Sequence, residues 1–195
     1  MRTTIWVVDD VDRVGGVRPR VFGSPKVEPS PRGLAFDGQA DGLIVPWNPL
    51  EGLDAFTVEA VFRPDPGGAA EQRFFHIQAD SGPDRILLET RLTPDGRWYA
   101  DTYIRSGQTD QPLNDPALLH DLGRWHTLAL TFDGRDMAQW VDGRFELSAR
   151  IAFWPLGRGA ASIGMRINRI YFFKGAIRLL RFSGSALDEA ALLRP

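Results

Sequence analysis

Apolar residues alternate with other residues in short runs along most of this chain, and turn signals close the runs. This is the pattern of strands in an antiparallel sheet with one buried face. In "RFFHIQ" (73–78), Phe75 and Ile77 form the apolar set and leave His76 and Gln78 opposite. In "ILLETRL" (86–92), Ile86, Leu88 and Leu92 face inward with Thr90, while Leu87, Glu89 and Arg91 face outward. In "WYADTYIR" (98–105), Trp98, Ala100, Thr102 and Ile104 face inward, and Tyr99, Asp101, Tyr103 and Arg105 face outward.

Asp-Gly occurs at 37–38, 95–96, 133–134 and 142–143, each time between such runs, which is a strong hairpin signal. Further strands are predicted in "GLAFDG", "DGLIVPW", "FTVEAVFRP", "RWHTLALTFDG", "AQWVDGRFEL", "ASIGMRI" and "FFKGAIRLLRF". The fold class is therefore all-β, an antiparallel sandwich or barrel. Helical signals reduce to one or two short segments. "GSALDEAALL" has Ser185 three residues before Asp188, and "DPALLHDLG" (115–123) ends at Gly123. "GSPKVEPSPRG" (23–33) reads as an extended loop.

At 195 residues the chain is most simply one domain over 1–195, long enough to bury a core without disulfides. Cysteine is absent, which excludes disulfide frameworks, thiolate metal sites and cysteine nucleophiles. The net charge of −2 carries no footprint for nucleic acid or an anionic membrane. No segment approaches membrane-spanning length, and the apolar run Ile5–Val8 is too short for a signal-peptide core. The chain as given reads as cytoplasmic, or as an exported domain separated from its signal. Its oligomeric state is not legible.

Four segments in order resemble the laminin-G-like jelly roll of the concanavalin A-like lectin/glucanase superfamily. They are "LAFDGQADGLIVP" (34–46), "FTVEAVFRPD" (56–65), "RWHTLALTFDG" followed by "QWVDG" (124–143), and "FFKGAIRLLRFSGSAL" (172–187). The opening "IWVVDDVDRVGG" is similar to a first strand and loop of that family. The resemblance implies two antiparallel sheets packed face to face, one curved so that its outer surface forms a groove along the middle strands. Members bind glycans, proteins or calcium, and superfamily enzymes cleave polysaccharides in the groove. Fold alone does not choose among these.

The three strands sorted above are consecutive, so as a meander they bring their outward side chains together. His76, Gln78, Glu89, Arg91, Tyr99, Asp101, Tyr103 and Arg105 would share one surface, extended by Thr127 and Thr131 on the next strand and by Trp140. Such a face can be ordinary, with acid–arginine neighbours contributing about 0.2–1 kcal/mol each. Tyrosines among acids, arginines, histidine and glutamine also supply what glycan recognition needs: flat apolar faces for sugar C–H surfaces and fixed polar groups for hydroxyls. The resulting expectation is a carbohydrate-binding, lectin-like domain using the concave sheet.

Two catalytic uses of this face compete with binding. The glucanase branch places acids at alternating positions on one strand, whereas here Glu89 is followed by Arg91, so that motif is absent. β-Elimination on a uronate polymer would use Arg91 and Gln78 on the carboxylate, His76 as base and Tyr99 or Tyr103 as acid. An enzyme, if this is one, is thus more readily a lyase than a glycoside hydrolase. A protein-interaction module is a third class, but it would expose an apolar patch of which the sequence gives no clear sign.

The remaining polar residues add less. No Gly-x-Ser-x-Gly elbow is present. His126 shares the apolar parity of Leu128 and Leu130 and reads as a buried structural histidine, while His120 falls in a loop. No cofactor is required by any motif. Asp37 and Asp41 in "FDGQAD" could hold a structural calcium, although an Asp-Gly turn more simply uses Asp37 on local backbone N–H groups. Arg166, Asn168, Arg169 and Lys174 cluster near the next-to-last turn. Arg166 and Asn168 would meet an acidic ligand if that tip overhangs the groove, but charge at a hairpin tip is more simply solvated.

Overall fold

The computed structural model, which describes residues 2–195, is built from sixteen strands. They are β1 (Thr3–Val7), β2 (Arg20–Phe22), β3 (Lys26–Pro29), β4 (Arg32–Asp37), β5 (Gly42–Val45), β6 (Phe56–Pro64), β7 (Glu71–Ala79) and β8 (Arg85–Leu92), then β9 (Arg97–Ser106), β10 (Thr109–Asn114), β11 (His120–Asp121), β12 (His126–Phe132), β13 (Asp136–Val141), β14 (Arg144–Arg150), β15 (Gly159–Ile163) and β16 (Lys174–Ser183). Asp142 (φ 51°) and Gly143 (φ 70°) form the two-residue turn of the β13–β14 hairpin, because Asp-Gly tolerates two successive left-handed residues.

Two antiparallel sheets face each other. The first runs β14-β13-β12-β6-β16-β4-β3, with β1 also on β16; the second runs β10-β9-β8-β7-β15-β5-β2, with β11 on β9. The inward parity of β8 and β9 is as the alternation predicts, with Ile86, Leu88, Trp98, Ala100, Thr102 and Ile104 all fully buried. Aromatic rings join the sheets. Phe62 of β6 stacks on Phe74 of β7 at 4.3 Å, and Trp6 of β1 meets Phe75 of β7 at 6.5 Å.

Four expectations change. The helix over 115–123 does not form: Asp115 accepts the Ala117 N–H on its own side chain and closes a turn through the Leu118 N–H, and β11 follows. The second helical signal survives as one 3-10 turn at Glu189–Ala191. The stretch 23–33 is not all loop, since β3 within it pairs with β4. Finally, β12 and β13 lie in the first sheet, so Thr127, Thr131 and Trp140 do not extend the meander surface. The strand beside β9 is β10, whose Pro112 and polar residues disguise it as a loop.

The C-terminal segment crosses the outer face of the first sheet. Thr127 donates its hydroxyl to the Leu193 carbonyl, and Glu59 accepts the Leu193 N–H.

Candidate functional site

The outer face of β7, β8 and β9 carries a recess of about 300 Å3. Glu89 of β8 lies directly opposite Asp101 of β9 in the antiparallel register, and Leu87 lies opposite Tyr103. Pro112 and Asn114 on β10 continue these rows, opposite Tyr103 and Asp101. All six line the recess, along with four arginines: Arg73, Arg85, Arg91 and Arg166.

Arg73 reaches this face through a β-bulge. Strict alternation would send residue 73 inward with Phe75 and Ile77, but Arg73 pairs with Glu89 while Phe75 pairs with Leu88, so Phe74 is an extra residue. Both Phe74 and Phe75 then enter the core, and Glu71 and Arg73 share the outer face with His76 and Gln78.

Two arginines are committed to carboxylates. Arg91 bonds Asp101 through Nε at 2.8 Å and also bonds Glu71; its Nη2 stands 3.6 Å from Glu89 Oε2. Arg73 donates Nε to Glu89 Oε1 at 3.1 Å and Nη1 to Glu71 Oε2 at 3.2 Å, and its guanidinium lies 3.7 Å from the Tyr171 ring centre. The other two make no ion pair among the described residues. Arg85 donates to the Tyr103 hydroxyl at 3.1 Å and to the Pro83 carbonyl at 2.9 Å. Arg166 is aimed at the same recess from the loop after β15.

That loop stands on β7. Gly164 donates its N–H to the Phe74 carbonyl, and Phe173 donates to the Gly164 carbonyl, both at 2.8 Å, closing residues 165–172 into a cover over the outer face. Ile167 N–H bonds His76 Nδ1 at 3.1 Å, and Arg73 N–H bonds the Tyr171 carbonyl at 2.9 Å.

Burial sets the protonation of the two groups beneath. Glu89 is 2 % exposed, and desolvation, reinforced by Asp101 and opposed by Arg73, pushes its pKa up to about 7. Its Oε2 has no hydrogen-bond donor among the described residues. His76 is fully buried, and desolvation followed by the charges of Arg166, Arg85 and Arg73 lowers its pKa to about 3.

Of the eight residues expected on one surface, Glu89, Arg91, Asp101 and Tyr103 meet in the recess. His76 lies under the 165–172 loop, with no exposed surface from which to act as a base toward a polymer. Gln78 bonds the Gly82 carbonyl at one end of the strands, near Arg85 and Arg105, while Tyr99 pairs with Arg91 beyond the other edge of the recess. The elimination roles therefore do not assemble around one point. Arg85 was available to the same alternation that singled out Glu89, and Arg166 was picked out in the basic turn, although solvation was the simpler reading there, whereas Arg73 and Asn114 had no local signal.

Arg166 is not a solvated tip residue. Asn168 and Arg169 instead line a separate recess with Phe22, and Lys174 begins β16 with its N–H on Gln72 Oε1. His126 is structural as expected, bonding Asp142 Oδ2 through Nδ1 at 2.8 Å and the Asp121 carbonyl through Nε2 at 2.9 Å. His120 does have a partner, Glu146 Oε1 at 2.7 Å. Asp37 Oδ1 accepts the N–H groups of Gln39, Ala40 and Asp41, and Asp41 accepts those of Ser24 and Asp37. Among the described residues, no cluster of three or more His, Cys, Asp or Glu is placed to hold a metal ion.

Comparison with solved structures places the chain among jelly rolls of distant sequence. A heptameric SAP-like pentraxin from Limulus polyphemus shares 15 % identity at a TM-score of 0.65, over 80 % of this chain and 76 % of that one. Domain 4 of AbnA, a GH43 extracellular arabinanase from Geobacillus stearothermophilus solved with arabinotriose, shares 17 % identity at a TM-score of 0.61, over 96 % and 84 %. The binding domain of botulinum neurotoxin DC in complex with SialylT shares 11 % identity at a TM-score of 0.69, over 96 % of this chain but 49 % of that one. No curated protein sequence matches the chain. The Laminin_G_3 family profile matches residues 37–192, and the chain thus belongs to this family of the concanavalin A-like lectin/glucanases superfamily.

Proposed function

We propose that this domain binds carbohydrate in the recess on the outer face of β7–β9, without turnover. The observation that carries the reading is the buried Glu89 carboxyl. Its Oε2 has no hydrogen-bond donor among the described residues, only the Arg91 Nη2 charge at 3.6 Å, and Glu89 lines the recess together with Leu87, Tyr103 and Pro112. An unpartnered buried polar oxygen is unfavourable by about 1–3 kcal/mol, and a ligand hydroxyl would satisfy it, donating to the carboxylate or accepting from the carboxylic acid. A sugar ring offers that hydroxyl next to C–H surface that packs on an aromatic face. The arabinanase domain solved with arabinotriose supports the reading by showing that a fold of this kind accommodates an oligosaccharide.

An oligosaccharide array with product detection tests it. Binding without product is expected, lost about tenfold or more in Tyr103→Ala and retained in Tyr99→Ala. A product whose formation needs Glu89 would replace binding by hydrolysis, and a blank array would overturn the reading.

A further inference from the structure

Among the described residues neither Arg85 nor Arg166 forms an ion pair, and the one carboxylate whose charge acts on Arg85 is Asp110. Arg73 and Arg91 hold Glu71, Glu89 and Asp101 between them, which leaves the other two guanidiniums on the recess wall with neutral partners or none. Neither is a long arm free in solvent: both are partly buried, and Arg85 Nε is buried without an acceptor. The chain as a whole carries a net charge of −2, so the cationic wall is local rather than a consequence of composition.

Placing like charges together in a confined recess is unfavourable unless an anion joins them. The cost is visible at Arg85, whose pKa is lowered first by burial and further by Arg166 and Arg105, more than Tyr103 and the charge of Asp110 restore. The fold nevertheless holds Arg166 in place, through the loop closure at Gly164 and the Ile167–His76 bond. Guanidinium groups match planar or tetrahedral oxyanions with paired N–H donors.

We propose that the sugar taken by this recess is anionic, its carboxylate or sulfate group seated between Arg85 and Arg166 while a ring hydroxyl hydrogen-bonds Glu89 Oε2; this rests on the glycan-binding reading above. Tyr103 ties the two halves together, since its hydroxyl accepts from Arg85 and its ring lines the same recess. The ligand class is thus an acidic sugar, a uronate or other sugar acid, or a sulfated sugar.

Titration calorimetry with matched pairs decides it: an oligogalacturonate against its carboxyl-reduced form, and a sulfated galactan oligosaccharide against its desulfated form. The charged member of at least one pair is expected to bind about tenfold or more tightly than its neutral counterpart. The responding pair identifies carboxylate or sulfate. Arg166→Gln and Arg85→Gln should each remove most of that difference, and Arg97→Gln, which affects only an exposed pair with Asp95, should not. Because neither Arg85 nor Arg166 forms an ion pair among the described residues, both variants are expected to fold, which their melting temperatures check. Equal affinity for charged and neutral members would overturn the anionic assignment and leave glycan binding standing. No binding by any member, together with a blank array, would overturn both.

Discussion

Ile167 donates its backbone N–H to Nδ1 of His76 at 3.1 Å, and this bond ties the loop carrying Arg166 to the strand beneath the recess. The acceptor is dependable because burial and three nearby arginines keep the ring neutral down to about pH 3. His76 is therefore a positioning residue. His76→Leu leaves the Ile167 N–H without a partner, which is expected to destabilise the fold by about 1–3 kcal/mol and to accelerate hydrogen exchange at that amide. Unchanged exchange at Ile167 would show that the loop is held by its other contacts.

Two buried groups give opposing pH dependences. Glu89 keeps its proton to about pH 7 in the folded chain against 4.5 ordinarily, so stability falls by about 3 kcal/mol as pH rises through that window. His76 resists protonation to about pH 3 against 6.5 ordinarily, so stability falls by about 5 kcal/mol as pH drops from 6.5 to 3. Between 4.5 and 6.5 the two slopes oppose each other. Glu89→Gln removes one of them, and urea unfolding of the variant should show stability rising with pH in that interval by more than in the parent chain. Parallel profiles would contradict the raised Glu89.

Arg91 is the shared cation of the carboxylate cluster. Without it Asp101, 3 % exposed, faces Glu89 with only the Asn114 side-chain amide as hydrogen-bond donor among the described residues. Arg91→Met is expected to cost about 3–5 kcal/mol in urea unfolding, as for a buried pair broken on one side. Adding Asp101→Asn should recover part of that loss; a double variant whose losses simply add would show the two residues to be uncoupled.

Asp37 closes its turn through three backbone N–H groups. Asp37→Ala should lower stability by about 1 kcal/mol, as loss of a comparable side-chain cap does, equally in EDTA and in millimolar calcium. A calcium-dependent rise in melting temperature that this variant abolishes would assign the turn to a metal instead.

The inward row Trp98, Ala100, Thr102 and Ile104 and the hairpin at Asp142–Gly143 were legible along the chain, unlike the register that sets Glu89 opposite Asp101, because a period of two and a left-handed dipeptide are local properties. Arg85 was equally legible, lying on the same outward row as Leu87 and Glu89. Arg73 was not: the bulge at Phe74 turns that ring into the core, where it stacks on Phe62 of the other sheet, and reverses the parity of the strand before it.

Sheet membership was also out of reach, since Thr127 and Thr131 alternate as well as Tyr99 and Asp101 do, yet β12 crosses to the other sheet and the C-terminal segment covers it. The sequence by itself determined which side of the regular strands is apolar. Only the tertiary structure decided which polar sides meet, because strand pairing satisfies backbone groups and buries apolar faces over the whole molecule. From that came the recess, the meeting of Arg73 and Arg166 with Arg85 and Arg91, and the loop that sets Arg166 over His76.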